Sequence, residues 1–289
     1  MDVIRRIEDA RGLTPVEQQL AATAVELGPR LARLGIKDFA KAASASVPSV
    51  HRFCKKLGLE GFKELKVELA RSRAGEAAGV DINFPFSRGD GGETIGGRMA
   101  SVYETTVRDT RALLDPRDLD AAAELLGGAS GVDVYTASHN LYPAQMFCNR
   151  LLSCGIDAAC PADAERQVWT ALRSDETRAA LLISYSGLGT SIERVAPILA
   201  ERGTPAVLVG TPRAASLNPG FACYLRVSDR ESLQDRITQF ASHIAVQFAL
   251  DTLFGCIFAR DWDRARGALE LALPRTALPA LARDRAVGR

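Results

Sequence analysis

Apolar residues recur at Val16, Leu20, Ala24 and Leu27, the spacing of one helical face. The segment opens on Leu13-Thr14-Pro15-Val16-Glu17, where Thr14 can cap, Pro15 takes the first helical position and Glu17 closes a capping box. Gly28-Pro29 stops it. The pattern predicts a second short helix over 37–43, with Phe39, Ala40 and Ala43 inward. Ser44-Ala45-Ser46 then forms a tight turn, and Ser46 is a good N-cap for a third helix that tolerates Pro48 in its first turn. Val50, Phe53, Cys54 and Leu57 make that helix's apolar face, and Gly58 ends it. A fourth helix over 62–72 carries Phe62, Leu65 and Leu69. Two short helices joined by a three-residue turn form a helix-turn-helix pattern.

Helical periodicity lapses between Arg71 and Gly92, where Gly75, Gly79, Pro85, Gly89, Gly91 and Gly92 cluster. This reads as a flexible linker, residues 74–92, between a head over 1–73 and a body over 93–262. In the body, Ile95, Met99, Val102, Thr106 and Leu113 stripe a long helix. Asp115-Pro116 caps the next, with Leu119, Ala122, Ala123 and Leu126 inward. From Val132 the chain alternates. Strands are expected over 132–136, 156–160, 179–184, 205–210 and 223–227, and helices over 141–154, 164–172, 190–201 and 233–259. Such alternation implies right-handed βαβ units and a parallel sheet covered on both faces. Residues 263–289 are left as an Ala/Arg-rich tail.

Charge sharpens this division. The chain of 289 residues has a net charge of only +1, yet residues 1–73 hold 14 basic and 9 acidic residues. A basic head on a mildly acidic body points to nucleic acid. The third helix carries Ser49, Arg52, Lys55 and Lys56 on its polar face, with Ser46, Val47 and His51 nearby, and Lys63 and Lys66 extend the basic surface. Hydroxyls near a helix start suit base edges, and cations further along suit phosphates. These nine residues are the candidate contacts to double-stranded DNA. Six cysteines lie scattered with no C-x-x-C pair, and only three histidines are present. No metal site, cofactor or disulfide framework is therefore expected. The N-terminus has no apolar signal-peptide core, and the apolar stretch over 244–259 is short and broken by Asp251, so a cytoplasmic protein with no membrane partner is expected.

The strings Leu13-Thr14-Pro15-Val16-Glu17, Ile36-Lys37-Asp38-Phe39-Ala40-Lys41-Ala42-Ala43, Val50-His51-Arg52-Phe53-Cys54-Lys55-Lys56-Leu57-Gly58 and Gly61-Phe62-Lys63-Glu64-Leu65-Lys66 resemble the N-terminal domain of the RpiR family of bacterial transcriptional regulators. Ser44 stands where that family usually has Gly, so the turn carries some strain. The body, with Leu182-Ile183-Ser184-Tyr185-Ser186-Gly187, Glu201-Arg202-Gly203 and Ala206-Val207-Leu208-Val209-Gly210, resembles the sugar isomerase (SIS) domain that follows in those regulators. The resemblance implies an all-α helix-turn-helix head joined to an α/β parallel-sheet domain, SIS-type and flavodoxin-like. It also implies a phosphosugar site at Ser184, Ser186 and Gly187, and a homodimer or homotetramer. Two departures stand out. The family's Thr two residues after that Gly aligns with Gly189, leaving Thr190 displaced by one. The family's G-x-G-x-S is Thr136-Ala137-Ser138-His139-Asn140 here.

Ligands of open parallel sheets bind at the carboxyl ends of the strands. The loops there hold the candidate effector residues Ser138, His139, Asn140, Ser184, Tyr185, Ser186, Gly187 and Thr190, with Glu231 past the last strand. Ser, Gly and a helix start together suit an anion. Asn140 is a candidate cap. Three functions compete: a ligand-responsive transcription factor, a sugar-phosphate isomerase with an added head, and a DNA-binding scaffold whose body only oligomerises. Isomerisation needs a positioned base. His139, His243 and Glu231 are the only candidates, and nothing beyond the fold groups them. The favoured reading is a non-enzymatic regulator sensing a sugar, sugar acid or sugar phosphate, with no catalytic residue.

Overall fold

A computed structural model describes residues 3, 7, 12–27, 31, 34–76 and 80–276, over 70–76 and 273–276 by the backbone alone. The expected stop at Gly28-Pro29 and the end of the tail lie outside the described residues. The chain divides into two compact units, residues 1–105 with 229–238, and residues 106–228 with 239–289.

The first unit begins with α1 (Pro15–Leu27), α2 (Ile36–Ala42), α3 (Val47–Lys56) and α4 (Phe62–Glu76). The capping box forms as the sequence predicts. Thr14 N donates to Glu17 Oε2 at 2.8 Å, and Glu17 N donates to Thr14 Oγ1 at 3.4 Å. Leu20, Ala24, Phe39, Val50, Phe53, Cys54, Phe62, Leu65 and Leu69 share one buried core, and the Phe39 and Phe62 rings stack at 5.2 Å. Val16 departs from expectation. It is exposed, while Glu17 beside it is buried.

Asn83, within the segment read as linker, is buried. Its Oδ1 accepts from Ser232 N at 2.6 Å and its carbonyl from Ile237 N at 3.0 Å. These bonds correct the expected helix over 233–259. No helix forms over 229–240: Asn83 takes the amides of Ser232 and Ile237, Ser232 Oγ takes that of Asp235, and the helix starts only at Ala241.

Helix α5 (Gly92–Leu113) leads to the second unit, whose elements are α6 (Pro116–Gly128), β1 (Val132–Tyr135), α7 (Leu141–Ser153), β2 (Ala158–Ala159), α8 (Ala164–Leu172), β3 (Ala179–Ile183), α9 (Ala196–Glu201), β4 (Ala206–Gly210), α10 (Pro212–Leu217), β5 (Cys223–Arg226), α11 (Ala241–Arg260) and α12 (Trp262–Thr276). All strand pairs are parallel, in the order β2-β1-β3-β4-β5. Alternation along the strands separates two cores. Val132, Val134, Leu181, Val207 and Val209 face α6, α7 and α11, while Tyr135, Leu182 and Leu208 face α8 and α9.

Two further differences have local causes. The expected helix over 190–201 is a π turn, Ser191–Val195, running into α9. Pro197 has no amide hydrogen to donate to the Glu193 carbonyl and its ring crowds that turn, so the turn widens. Residues 263–276, assigned to the tail, belong to α12, which buries Ala265 in the larger core. Helix α11 is long and apolar enough to pass for a membrane span, but it is a core helix. Ala245, Val246, Ala249, Leu250 and Leu253 are buried, and Asp251 pairs with Arg150 of α7.

Candidate functional site

The turn between α2 and α3 is closed by Ser44 N on the Lys41 carbonyl and Ala45 N on the Ala40 carbonyl. Ser44 sits at φ +49, so the residue replacing Gly does adopt the left-handed conformation. Ser46 caps α3 by accepting from Ser49 N at 3.3 Å. Its Oγ lies 2.9 Å from Ser49 Oγ, which accepts in turn from Arg52 Nη2 at 3.1 Å. One chain of polar groups thus runs along the start of α3. Val47 is half-buried, and His51, Arg52, Lys55 and Lys63 are exposed on this unit's surface.

Two of the sequence-nominated cations are held elsewhere. Lys56 Nζ donates to the Gly12 carbonyl at 2.6 Å and to Glu17 Oε2 at 2.8 Å. Glu17 is nearly buried, and the Lys56 hydrogen bond, followed by that from Thr14 N, lowers its pKa to about 2. Lys66 Nζ donates to the Leu34 carbonyl at 3.2 Å and lies over the Phe62 ring. Both cations clip helices of the head together.

In the second unit, strand order reverses between β1 and β3, and the loops that follow them flank the switch point where open parallel sheets bind their ligands. These are the two loops the sequence singles out. Thr136 Oγ1 donates to the Ile183 carbonyl at 2.8 Å, and Gln167 Nε2 donates to the Thr136 carbonyl at 2.6 Å. The end of β1 is thereby tied to β3 and α8. Gln167 was missed, because nothing in a nine-residue helix marks the one amide that faces a strand end.

The β1 loop makes a 3-10 turn over Ser138–Asn140, with Ser138 exposed at φ +58. His139 is half-buried. Asn140 is buried but makes no side-chain capping bond. Its ψ of −12 is already helical, whereas a cap needs an extended residue, so the expected cap is corrected.

The β3 loop is built around close approaches. Gly187 has φ +71, and a Cβ there would lie 2.6 Å from Ala214 Cα. Its carbonyl accepts from Asn218 Nδ2 at 2.9 Å. A Cβ on Gly210 would lie 2.5 Å from the Ser184 carbonyl oxygen. Ser186 Oγ accepts from Leu188 N at 3.1 Å, a local Ser turn. Ser184 is buried, Tyr185 belongs to the larger core, and Thr190 precedes the π turn without a side-chain cap. Glu231 lies in the 229–238 segment of the first unit, fully buried and paired with Arg236 at 2.9 Å.

A basic helix-turn-helix head and a doubly wound parallel sheet with polar loops at its switch point are the two parts of this chain. Residues 1–76 match the helix-turn-helix domain of the rpiR family, and this part of the chain is such a domain. An HTH-type transcriptional regulator of Caldanaerobacter subterraneus is 27% identical over 264 residues, covering 90% of this chain and 91% of the relative. The regulator HexR of Pseudomonas aeruginosa is 28% identical over 204 residues, 71% of this chain and 70% of its own. In fold, the chain is similar to Vibrio vulnificus NanR complexed with ManNAc-6P, with a TM-score of 0.57 and 19% identity over 96% of this chain and 100% of that one. The sugar isomerase domain of an RpiR transcription factor from Sphaerobacter thermophilus has a TM-score of 0.54 and 16% identity, covering 61% of this chain and 96% of that one. The body therefore has the sugar isomerase fold.

Proposed function

We propose that this protein is a cytoplasmic transcriptional regulator whose body binds a small carbohydrate-derived effector and modulates operator binding by the head. The observation that carries the reading is that both loops flanking the switch point, Thr136–Asn140 and Ser184–Thr190, present hydroxyls and helix starts, in a chain that begins with an rpiR-type head. Exposed Ser138 and the local turn at Ser186 suit sugar oxygens, and the helix starts suit an anionic group. ManNAc-6P is the ligand in the NanR structure, and it supports a sugar phosphate as the class to try first. The body acts as a sensor rather than an isomerase. Of the three candidate bases, Glu231 is committed to Arg236 and His243 lies on α11, which leaves His139, in the β1 loop, as a polar contact for the effector. The heads act in pairs through a homo-oligomeric body, since one small head makes few phosphate contacts.

The test is a thermal-shift screen of sugars, sugar acids and their phosphates, ManNAc-6P included, followed by operator binding with each hit. A ligand at one hundred times its Kd stabilises by ~2.7 kcal/mol. The double variant Ser184→Ala, Ser186→Ala should lose the shift and the effect on DNA while keeping unliganded DNA affinity. A variant that still responds fully places the effector elsewhere, and light scattering that finds a monomer at micromolar concentration overturns the paired-head reading.

A further inference from the structure

A second cleft lies along α8, beside the two-residue edge strand β2. Arg166, Trp169, Thr170 and Arg173 recur at helical spacing and line one wall, while Asp133 and Arg178 line the other side of a space of about 390 Å³. That volume lies within the range of small-molecule sites.

The Asp133–Arg178 side is fixed. Arg178 Nε donates to Asp133 Oδ2 at 2.8 Å and Nη2 to Oδ1 at 3.0 Å, and Nη1 lies 3.6 Å from Asp157. Asp133 is buried, and the guanidinium lies where a side chain on residue 131 would stand: a Cβ on Gly131 would meet it at 2.5 Å. A bidentate pair of this kind is a preorganised wall, its charge already answered.

The α8 wall differs. Arg166 and Arg173 are exposed, and neither guanidinium has a carboxylate partner among the described residues. Seven residues of helix separate them by about 10 Å along the axis. Between them stands Trp169, 59% exposed, with only a 3.4 Å contact from Nε1 to Glu165 Oε1. An uncovered indole between two uncompensated guanidiniums offers a stacking surface and two anion donors on one helix face. Guanidinium recognises phosphate through paired N–H donors, and indole recognises a flat ring by stacking.

We propose that this cleft is a second ligand site, for a phosphate-bearing molecule with a planar ring, of the size and chemistry of a nucleoside diphosphate. The ring stacks on Trp169 and the phosphates meet Arg166 or Arg173. Asp133 and Arg178 precede or begin their strands, whereas the switch-point loops follow theirs, so the Asp133–Arg178 side lies toward the opposite end of the sheet, while the Arg166 end of α8 comes near the β1 loop through its neighbour Gln167. The site stands whether or not those loops bind a sugar.

The chain has two tryptophans, so Trp262→Phe leaves Trp169 as the only indole reporter. The full chain carrying that change is titrated with ADP, adenosine and inorganic pyrophosphate while Trp169 emission is followed. Calorimetry on the unmodified chain provides a reading that does not depend on the variant. Expected are saturable quenching and heat with ADP, and binding at least about tenfold weaker, ~1.4 kcal/mol, for adenosine and for pyrophosphate. Arg166→Ala with Arg173→Ala should weaken ADP by a similar factor, whereas Ser184→Ala with Ser186→Ala should leave it unchanged. No saturable ADP binding at millimolar concentration overturns the proposal. So does ADP binding unaffected by the arginine pair, or pyrophosphate binding as tightly as ADP, which would mean that the ring is not read.

Discussion

Lys55 and Lys56 are neighbours of one type on one helix, and the structure assigns them opposite jobs. Lys56→Ala removes hydrogen bonds of 2.6 and 2.8 Å and leaves the Glu17 carboxylate, 11% exposed, with Thr14 N as its remaining strong donor. A charged hydrogen bond contributes about 1.5–3 kcal/mol to stability. The Lys56 side chain is 37% exposed, so solvent screening brings the loss down to roughly 1–2 kcal/mol. In a domain of this size, that lowers the melting temperature of the head by about 5–10 °C. Lys55 is exposed, and Lys55→Ala should leave melting unchanged. On DNA the order reverses. Losing one phosphate contact flattens the slope of log K against log salt by about 0.9, so between 50 and 200 mM salt the variant's affinity falls roughly 3.5-fold less than the wild type's. Thermal melts and fluorescence anisotropy across a salt series measure both. If Lys56→Ala flattens the slope by about one unit and melts like the wild type, the Glu17 clip is not what holds this lysine.

The same pair sets an acid limb. Glu17 has a folded pKa of about 2, below its ordinary 4.5, so its contribution is complete above pH 4.5 and lost as pH falls toward 2. Denaturation across that window should be shallower in Lys56→Ala than in the wild type; equal slopes would refute the linkage. Gly187→Ala combines a left-handed backbone, about 1–2 kcal/mol, with a collision against Ala214, about 1–3 kcal/mol. It should melt lower and lose the effector response, and a variant that matches wild type in both would show that the loop does not need this conformation. Thr136→Val keeps shape but removes the bond to the Ile183 carbonyl, and a loss of about 1 kcal/mol in urea denaturation is expected. A neutral result there would mean that this hydroxyl's bond to β3 adds nothing to stability.

What could be read from the chain was what local physics decides. Capping at Thr14, Pro15 and Glu17, the cap at Ser46, the strained turn at Ser44 and the alternation of strands and helices all depend on residues a few positions apart, and all appear in the structure. Distant partners were not readable. Leu233 and Ile237 have helical spacing, yet their segment is bent because Asn83, 149 residues from Ser232, takes its amide. Lys56 looks like Lys55 until Glu17, 39 residues away, is placed beside it. The effector loops were found because the end of a strand is a place sequence periodicity can mark. The cleft on α8 was not, because Asp133 and Arg178 meet only once β1 and β3 have paired.

The π turn at Ser191–Val195 has a consequence for how this loop can change length. A π turn holds one residue more than the α turn it replaces. Thr190 stands one residue later than the Thr of the family pattern, and the chain returns to ordinary helix at Ala196 and to β4 in unbroken parallel register with β3. The widened turn carries its extra residue as a local bulge, while β3 and β4 behind it keep their parallel registration. Closing the bulge into regular helix would set the Pro197 ring against the Glu193 carbonyl, so a single-residue deletion in Leu188–Thr190 should cost stability instead of being absorbed by the turn.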